Sequence, residues 1–485
     1  MPQISDQAAR DRGGSLVVVL AFAGIVVAVM QTLVVPLIPE LPTLLHASAS
    51  DASWVITATL LAGCVATPVM GRLGDMYGKR RILLFSLSLL VVGSLICAFT
   101  TSLLPMVIGR ALQGGAMGVI PLGISIMRDE LPKERMGSAM ALMSSSLGIG
   151  GALGMPGAAA IAQHFDWHSL FLCSAGLGAA AMTLIFFLVP ESRVRTPARF
   201  DFPGAVGLSA GLVCLLLAVS KGGDWGWAGG TLGLFGTSAV ILLGWGAYEL
   251  RTTAPLVDLR TTARPQVLLT NLASILVGFA LFAMSIVLPQ LLQLPKATGY
   301  GLGQSMIAAG LCLAPGGLVM IVVSPLSARI SAARGPKTSL MLGVTVVAAG
   351  YAMGLAMMNS VWEVVLVSAV IGTGIALAYA AMPALIMGAV PLSETAAANG
   401  LNTLMRSIGT SVSSAVVGVV LAHMTQPFGG VPLPSLNGFR VAFAIACGAG
   451  LAALLIAAFI PARPTRPQLA PVGAAPVTTP ADQPA

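Results

Sequence analysis

The sequence predicts an all-α polytopic membrane protein of fourteen transmembrane helices. Of its 485 residues only 9% are charged while 56% are hydrophobic, too little polar surface to keep a globule of that size in water. Charges are bunched between apolar stretches of roughly 18 to 25 residues, the length an α-helix needs to cross about 30 Å of hydrocarbon. Lys and Arg also fall on alternate sides of those stretches, as the positive-inside rule requires.

The apolar runs place helices near 16–39, 53–70, 82–100, 104–127, 137–162, 168–190, 204–221, 229–248, 265–293, 304–324, 338–358, 361–390, 398–422 and 439–460. Arg10 and Arg12 precede the first run like a signal peptide, but the run is too long and reads as a retained helix. With the amino terminus inside, twenty of the twenty-three loop and tail cations lie on one side, and only Lys221, Lys296 and Arg440 fall outside. Both termini are therefore expected in the cytoplasm of a bacterial cell, the chain crossing its inner membrane many times.

Two longer basic connections, at 191–203 and 249–264, flank helices 7 and 8. They divide the chain into an N-terminal six-helix half (1–200), a linker hairpin (201–260), a C-terminal six-helix half (261–460) and a Pro/Ala-rich tail (461–485) expected to be disordered. The loops after helices 2 and 10 are both short, basic and glycine-containing, an internal echo of the kind secondary transporters carry. A net charge of +8 does not indicate nucleic acid, because the cations form no stripe on a soluble face. The six cysteines lie inside apolar segments with no CxxC pairing and read as small buried hydrophobes, not disulfides or metal ligands.

Some segments carry more than topology. Gly71-Arg-Leu-Gly-Asp75-Met-Tyr-Gly78-Lys79-Arg80-Arg81 sets one acid among four cations at the basic end of helix 2, with glycines that permit a tight turn. It reads either as a latch that stabilises one of two packings or as a plain topology loop. Helix 4 carries Arg110-Ala-Leu-Gln113-Gly114-Gly115; a guanidinium in an apolar span costs about 2.5–3.5 kcal/mol on insertion scales and demands a purpose. Helix 5 contains Gly148, Gly150, Gly154 and Pro156: small residues that admit a neighbouring helix, and a proline that frees a carbonyl. In helix 13, Asn399, Asn402 and Arg406 share one face, which either meets a central cavity or holds helices together.

These stretches resemble the major facilitator superfamily. The 71–81 segment matches its signature loop at every position, Arg110 and Gln113 match its Arg-x-x-Gln-Gly motif, and the helix 5 glycines resemble its antiporter motif, with Met155 standing where proline is usual. Fourteen helices resemble the drug:proton antiporter branch, in which the added pair sits between the halves. The resemblance implies a conformational latch at Gly71, Asp75, Gly78, Lys79 and Arg80. It also implies proton coupling through Arg110, for which Glu40, just past helix 1, is the carboxylate candidate. A substrate cavity is expected around Gln31, Thr32, Gln113, Asn399, Asn402 and Arg406.

Helix 1 departs from that pattern: Thr32 and Pro39 match, but Met30 stands at the usual acidic position and Val35 at the asparagine position. A membrane carboxylate is the simplest proton carrier and the simplest partner for a cationic drug, so its loss favours neutral or anionic substrates. Gly207-Leu-Ser-Ala-Gly211 fits a hydrolase pattern but lies inside an apolar helix, and no Gly-x-x-x-x-Gly-Lys-Ser/Thr frame is present. The reading is therefore a transporter, not an enzyme, with no catalytic residue, metal or cofactor. It is expected to act as a monomer in the bilayer, exporting small amphipathic compounds in exchange for protons. A dedicated exporter of an endogenous siderophore, lipid or antibiotic, and a non-transporting receptor, are the competing readings.

Overall fold

The computed structural model describes residues 2–34, 37, 40–192, 194–195, 199–225, 229–428 and 431–461. Its membrane helices are α1 (Pro2–Thr32), α2 (Trp54–Tyr77), α3 (Lys79–Ala98), α4 (Leu103–Glu130), α5 (Lys133–His164), α6 (His168–Leu188) and α7 (Phe202–Trp225). There follow α8 (Gly229–Glu249), α9 (Pro265–Gln293), α10 (Met306–Arg334), α11 (Pro336–Ala356), α12 (Val361–Met387), α13 (Thr395–His423) and α14 (Leu436–Ala458). Helices are the natural solution for such a chain, since lipid offers no hydrogen-bond partners and every backbone N–H and C=O must be satisfied within the segment.

Several boundaries differ from the sequence expectation, and each has a local cause. α1 stops at Thr32, not at Pro39, ahead of Pro36 and Pro39, which have no backbone N–H to donate. α2 runs on through the expected loop to Tyr77, and α10 runs through Pro325 to Arg334. In both cases one glycine in a positive-φ conformation makes the whole turn: Gly78 (φ 114°) leads into α3 and Gly335 (φ 84°) into α11. The echo between the two loops is thus a repeat of one turn geometry. α7 likewise extends to Trp225, into what reads as an outer loop. An antiparallel hairpin, β1 (Thr425–Phe428) and β2 (Val431–Pro434), joins α13 to α14 and was not anticipated. The tail read as disordered lies, from residue 462, outside the described residues.

The packing scheme is used twice. In the N-terminal half α1 packs on α5 and α6, α3 on α4 and α6, and α2 on α4; the C-terminal half repeats this with α9 to α14 in the same order. The halves meet through α5 against α10 and α2 against α13. Since α10 occupies in its half the place of α2, and α13 that of α5, the second contact is the first one turned about a two-fold axis. The hairpin of α7 and α8 lies to one side, α7 packing on both α2 and α13, so it spans the seam between the halves.

Candidate transport site and latch

On the face that carries the basic loops, the halves are joined by charges placed at helix ends. Asp75, on the last turn of α2, is 1% exposed and its carboxylate accepts the backbone N–H groups of Ala396 (3.4 Å) and Ala397 (2.9 Å) in the first turn of α13. A helix start presents unpaired N–H groups and partial positive charge, so a carboxylate is what it binds best. Arg128, at the end of α4, does the converse: its guanidinium donates to the carbonyls of Met387 (2.9 Å) and Val390 (3.2 Å) at the end of α12, and to Thr395 Oγ1 (2.5 Å). Lys79 is fully buried between Asp75 (3.7 Å) and Asp129 (2.6 Å), tying the α2/α3 turn to α4.

The glycines of the segment have matching roles. A Cβ on Gly71 would stand 2.6 Å from the Ala396 carbonyl oxygen, so only glycine lets α13 come this close. Gly78 makes the turn that places Lys79. Arg80 faces elsewhere: its backbone N–H donates to Glu191 (3.2 Å) and its guanidinium lies over the Phe186 ring, 5.3 Å from the centroid, while donating to the Phe186 carbonyl. Asp75 belongs to a helix, not to a loop, and is aimed across the seam.

In the N-terminal half, toward the helix ends remote from the basic loops, Arg110 is 2% exposed. Its Nε donates to the Val55 carbonyl (3.1 Å) and its Nη1 to Gln113 Oε1 (2.6 Å) and the Met30 carbonyl (3.4 Å). The Met30 sulfur lies 3.7 Å from the same Nη1. Gln113 passes the chain on to Ser94 (2.7 Å), which donates to Ser174 (3.1 Å), linking α4, α3 and α6. These partners are all neutral, and an arginine does not deprotonate in a protein, so this is a fixed positive charge in low dielectric. Glu40 is not brought to it; it is exposed at the start of the short helix Leu41–Leu44.

α5 is gripped on two sides by its small residues. Gly150 lies against Ile25 and Val29 of α1, where a Cβ would be 3.0 Å from backbone atoms of each, and Gly154 lies against Thr32. Thr32 donates to the Val29 carbonyl (3.0 Å) and, weakly, to that of Gly150 (3.5 Å). On its other side α5 meets α10: a Cβ on Gly310 would be 3.3 Å from Pro156 N, and Ser145 Oγ donates to the Met320 carbonyl (3.1 Å) and meets Ser324. Gln31 is half-buried.

In the C-terminal half Asn402 bridges α13 to α9, donating to Asn271 Oδ1 (2.9 Å) and Ser274 Oγ (2.8 Å). Asn399 donates back to the Thr395 carbonyl (2.9 Å), leaving its Oδ1 buried without a partner, as is Asn271 Nδ2. Arg406 is 7% exposed, donates to Thr403 Oγ1 (2.9 Å), and lies over the Tyr379 ring of α12 at 4.8 Å. The face shared by Asn399, Asn402 and Arg406 is therefore an interhelical seam with orphan amide atoms in it. Arg128, Asp129 and Ser94 were missed as site residues; Arg128 and Asp129 had a signal, an ion pair in sequence at the end of an apolar run.

The family model described as Major Facilitator Superfamily matches residues 20–414 and 334–482, and the chain belongs to that superfamily. Its curated relatives include the tetracenomycin C resistance and export protein of Streptomyces glaucescens, 27% identical over 85% of this chain and 77% of that one. Multidrug resistance protein 3 of Bacillus subtilis is 24% identical over 77% and 72% of the two chains. The probable actinorhodin transporter of Streptomyces coelicolor is 27% identical over 78% and 67%. Such relatives place the chain with the multidrug-efflux branch. The solved structure of the human organic anion transporter MFSD10 has the same fold, with a TM-score of 0.66 at 15% identity over 92% of this chain and 99% of that one.

Proposed function

We propose that this transporter exports small amphipathic compounds, neutral or anionic, from the cytoplasm in exchange for protons, by rocking its two halves about a site between them. The basic face is then cytoplasmic, with both termini on that side, and the protein works as a monomer. The single observation that carries the substrate class is Arg110: a sealed guanidinium whose partners are all neutral, with the Met30 sulfur where a carboxylate would sit. A fixed cation without a counter-ion attracts anions and repels dications, and a site of this kind rejects them at a cost of several kcal/mol. Arg406 on Tyr379 adds a second guanidinium in the opposite half, presented with an aromatic face.

Alternating access needs contacts that hold one packing and release without unfolding either half. Asp75 on the α13 start and Arg128 on the α12 end meet that need, since both are side chain to helix-end contacts across the seam.

A second reading, dedicated export of one endogenous metabolite such as an antibiotic, is favoured by the relatives named for tetracenomycin C and actinorhodin. The two readings part in a growth assay of an efflux-deficient host challenged with cationic, neutral and anionic compounds. Protection against several neutral and anionic compounds, lost in Arg110→Ala, supports the first; protection against a single compound supports the second. Best protection against dications removes the charge argument from both.

A further inference from the structure

The root of the α7/α8 hairpin holds a carboxyl pair that neither the latch nor the Arg110 network uses. Asp201 precedes α7 and Glu249 ends α8; they are 7% and 2% exposed. One oxygen of each is committed. Asp201 Oδ1 accepts the Gly204 N–H (2.9 Å) and the Tyr248 hydroxyl (3.0 Å), and Glu249 Oε2 accepts the Leu256 N–H (3.1 Å) of the linker to α9. The other two, Asp201 Oδ2 and Glu249 Oε1, are buried without any partner. Both abut one point: a Cβ on Gly204 would be 2.7 Å from Glu249 Oε1 and would collide with Asp201 Oδ2.

Among the described residues no cation forms an ion pair with either carboxylate, and Arg199 and Arg251, each two residues away in sequence, are exposed. The Trp245 indole N–H comes up to Glu249 without completing a hydrogen bond. Leu256 and Val257, which follow Glu249 in the linker, belong to an apolar cluster with Leu401 and Leu404 of α13. Asp258 is occupied in capping the Leu259–Thr262 turn, and Arg260 donates to the Leu250 carbonyl (3.0 Å). Arg72 faces Asp258 and Glu394 across a neighbouring cavity of about 350 Å³. Two ionised carboxylates pressed together in such a place repel strongly, and one proton between their free oxygens turns the repulsion into a hydrogen bond.

We propose that Asp201 and Glu249 are a proton-binding site that holds one shared proton at the cytoplasmic root of the linker hairpin. This goes beyond the export reading and does not depend on it. With the proton bound, the pair clasps α7 to α8 and, through Leu256, to the linker segment. That segment walls the cavity which Arg72, Glu394, Ala397 and Ala398 close from the latch side. With the proton lost, the clasp opens beside the first turn of α13, where Asp75 docks. A rise in cytoplasmic pH would then loosen the linker next to the latch. The linkage sign is fixed: a proton held in the folded state adds stability that is present at low pH and lost as pH rises through the pair's titration.

The test is infrared difference spectroscopy of the full chain in lipid vesicles, titrated with pH. Wild type is expected to show a protonated-carboxyl C=O band that disappears as pH rises, unaltered by sodium, and absent over that window in both Asp201→Asn and Glu249→Gln. An amide can accept the Leu256 N–H and donate to the facing carboxylate, so Glu249→Gln imitates the protonated pair and should melt at a temperature insensitive to pH. Should one variant fail to fold, the other carries the same readout. A band that survives in either variant, one displaced by sodium at constant pH, or no band in wild type overturns the proposal. None of these readouts involves a transported compound, so failure of the export reading would leave them unmoved.

Discussion

Asp75 of α2 and Ala397 of α13, 322 residues apart in sequence, are joined by a 2.9 Å hydrogen bond in which a buried carboxylate caps the start of a helix in the other half. Asp75→Asn keeps the side chain's shape and removes its charge. A carboxylate at a helix start contributes about 0.3–1 kcal/mol, up to about 2 where it is partly buried. A loss of 1–2 kcal/mol moves an equilibrium between two packings by about 5- to 30-fold. Distance measurement between labels on the basic ends of α2 and α13 should therefore show the ratio of closed to open populations falling by that factor in the variant. An unchanged distribution would mean that the Asp75 charge does not hold the seam.

The helix 5 glycines make a prediction specific to face. A methyl on Gly150 runs into α1, whereas one on Gly151 meets nothing within 4 Å. Gly150→Ala should destabilise by about 1–3 kcal/mol through overpacking. Gly151→Ala should be neutral or stabilising by up to about 1 kcal/mol from helix propensity. Thermal unfolding in detergent compares the two, and equal effects would show that α1 does not pack on this face of α5.

Arg110 and Met30 offer a gain-of-function test. Glutamate is close to methionine in length, and a carboxylate in place of the Met30 sulfur, now 3.7 Å from Nη1, comes within ion-pair reach of Arg110. Met30→Glu is expected to neutralise the fixed charge and shift export from anions toward cations. Resistance profiles of the two strains against matched anionic and cationic dyes read this out; an unchanged profile would take Arg110 out of substrate selection.

Tyr379 and Arg406 are 4.8 Å apart, ring to guanidinium. Such a contact contributes about 0.5–2 kcal/mol, the upper value when desolvated. Tyr379→Phe retains the ring and should behave as wild type. Tyr379→Leu should lower the unfolding temperature and weaken binding of aromatic compounds, measured by fluorescence quenching on purified protein. Equal behaviour of the two variants would remove the cation–π account.

The number of helices was legible because lipid makes length and apolarity nearly sufficient, and the charge alternation checks the count. Where those helices end was less so. Asp75 looks like a loop residue because its neighbours are charged, yet one glycine at 78 makes the turn and everything before it stays helical. Arg110 and Gln113 stood out as polar residues in an apolar span, while Ser94 and Ser174, which extend their chain, look like any small membrane residues. Asn402 and Arg406 stand four residues apart on one helix, but only coordinates tell that the partners of Asn402 are Asn271 and Ser274 on α9. Asp201 and Glu249 are 48 positions apart on opposite flanks of a hairpin, and nothing local marks them as neighbours.

The central claim is gradient-driven export, and everted membrane vesicles test it most directly. Vesicles containing the wild-type protein, energised by an imposed proton gradient, should accumulate anionic or neutral amphipathic compounds. They should lose them when the gradient is collapsed, and Arg110→Ala vesicles should accumulate none. Accumulation that persists without any proton gradient, or that is unaffected by Arg110→Ala, would contradict the account.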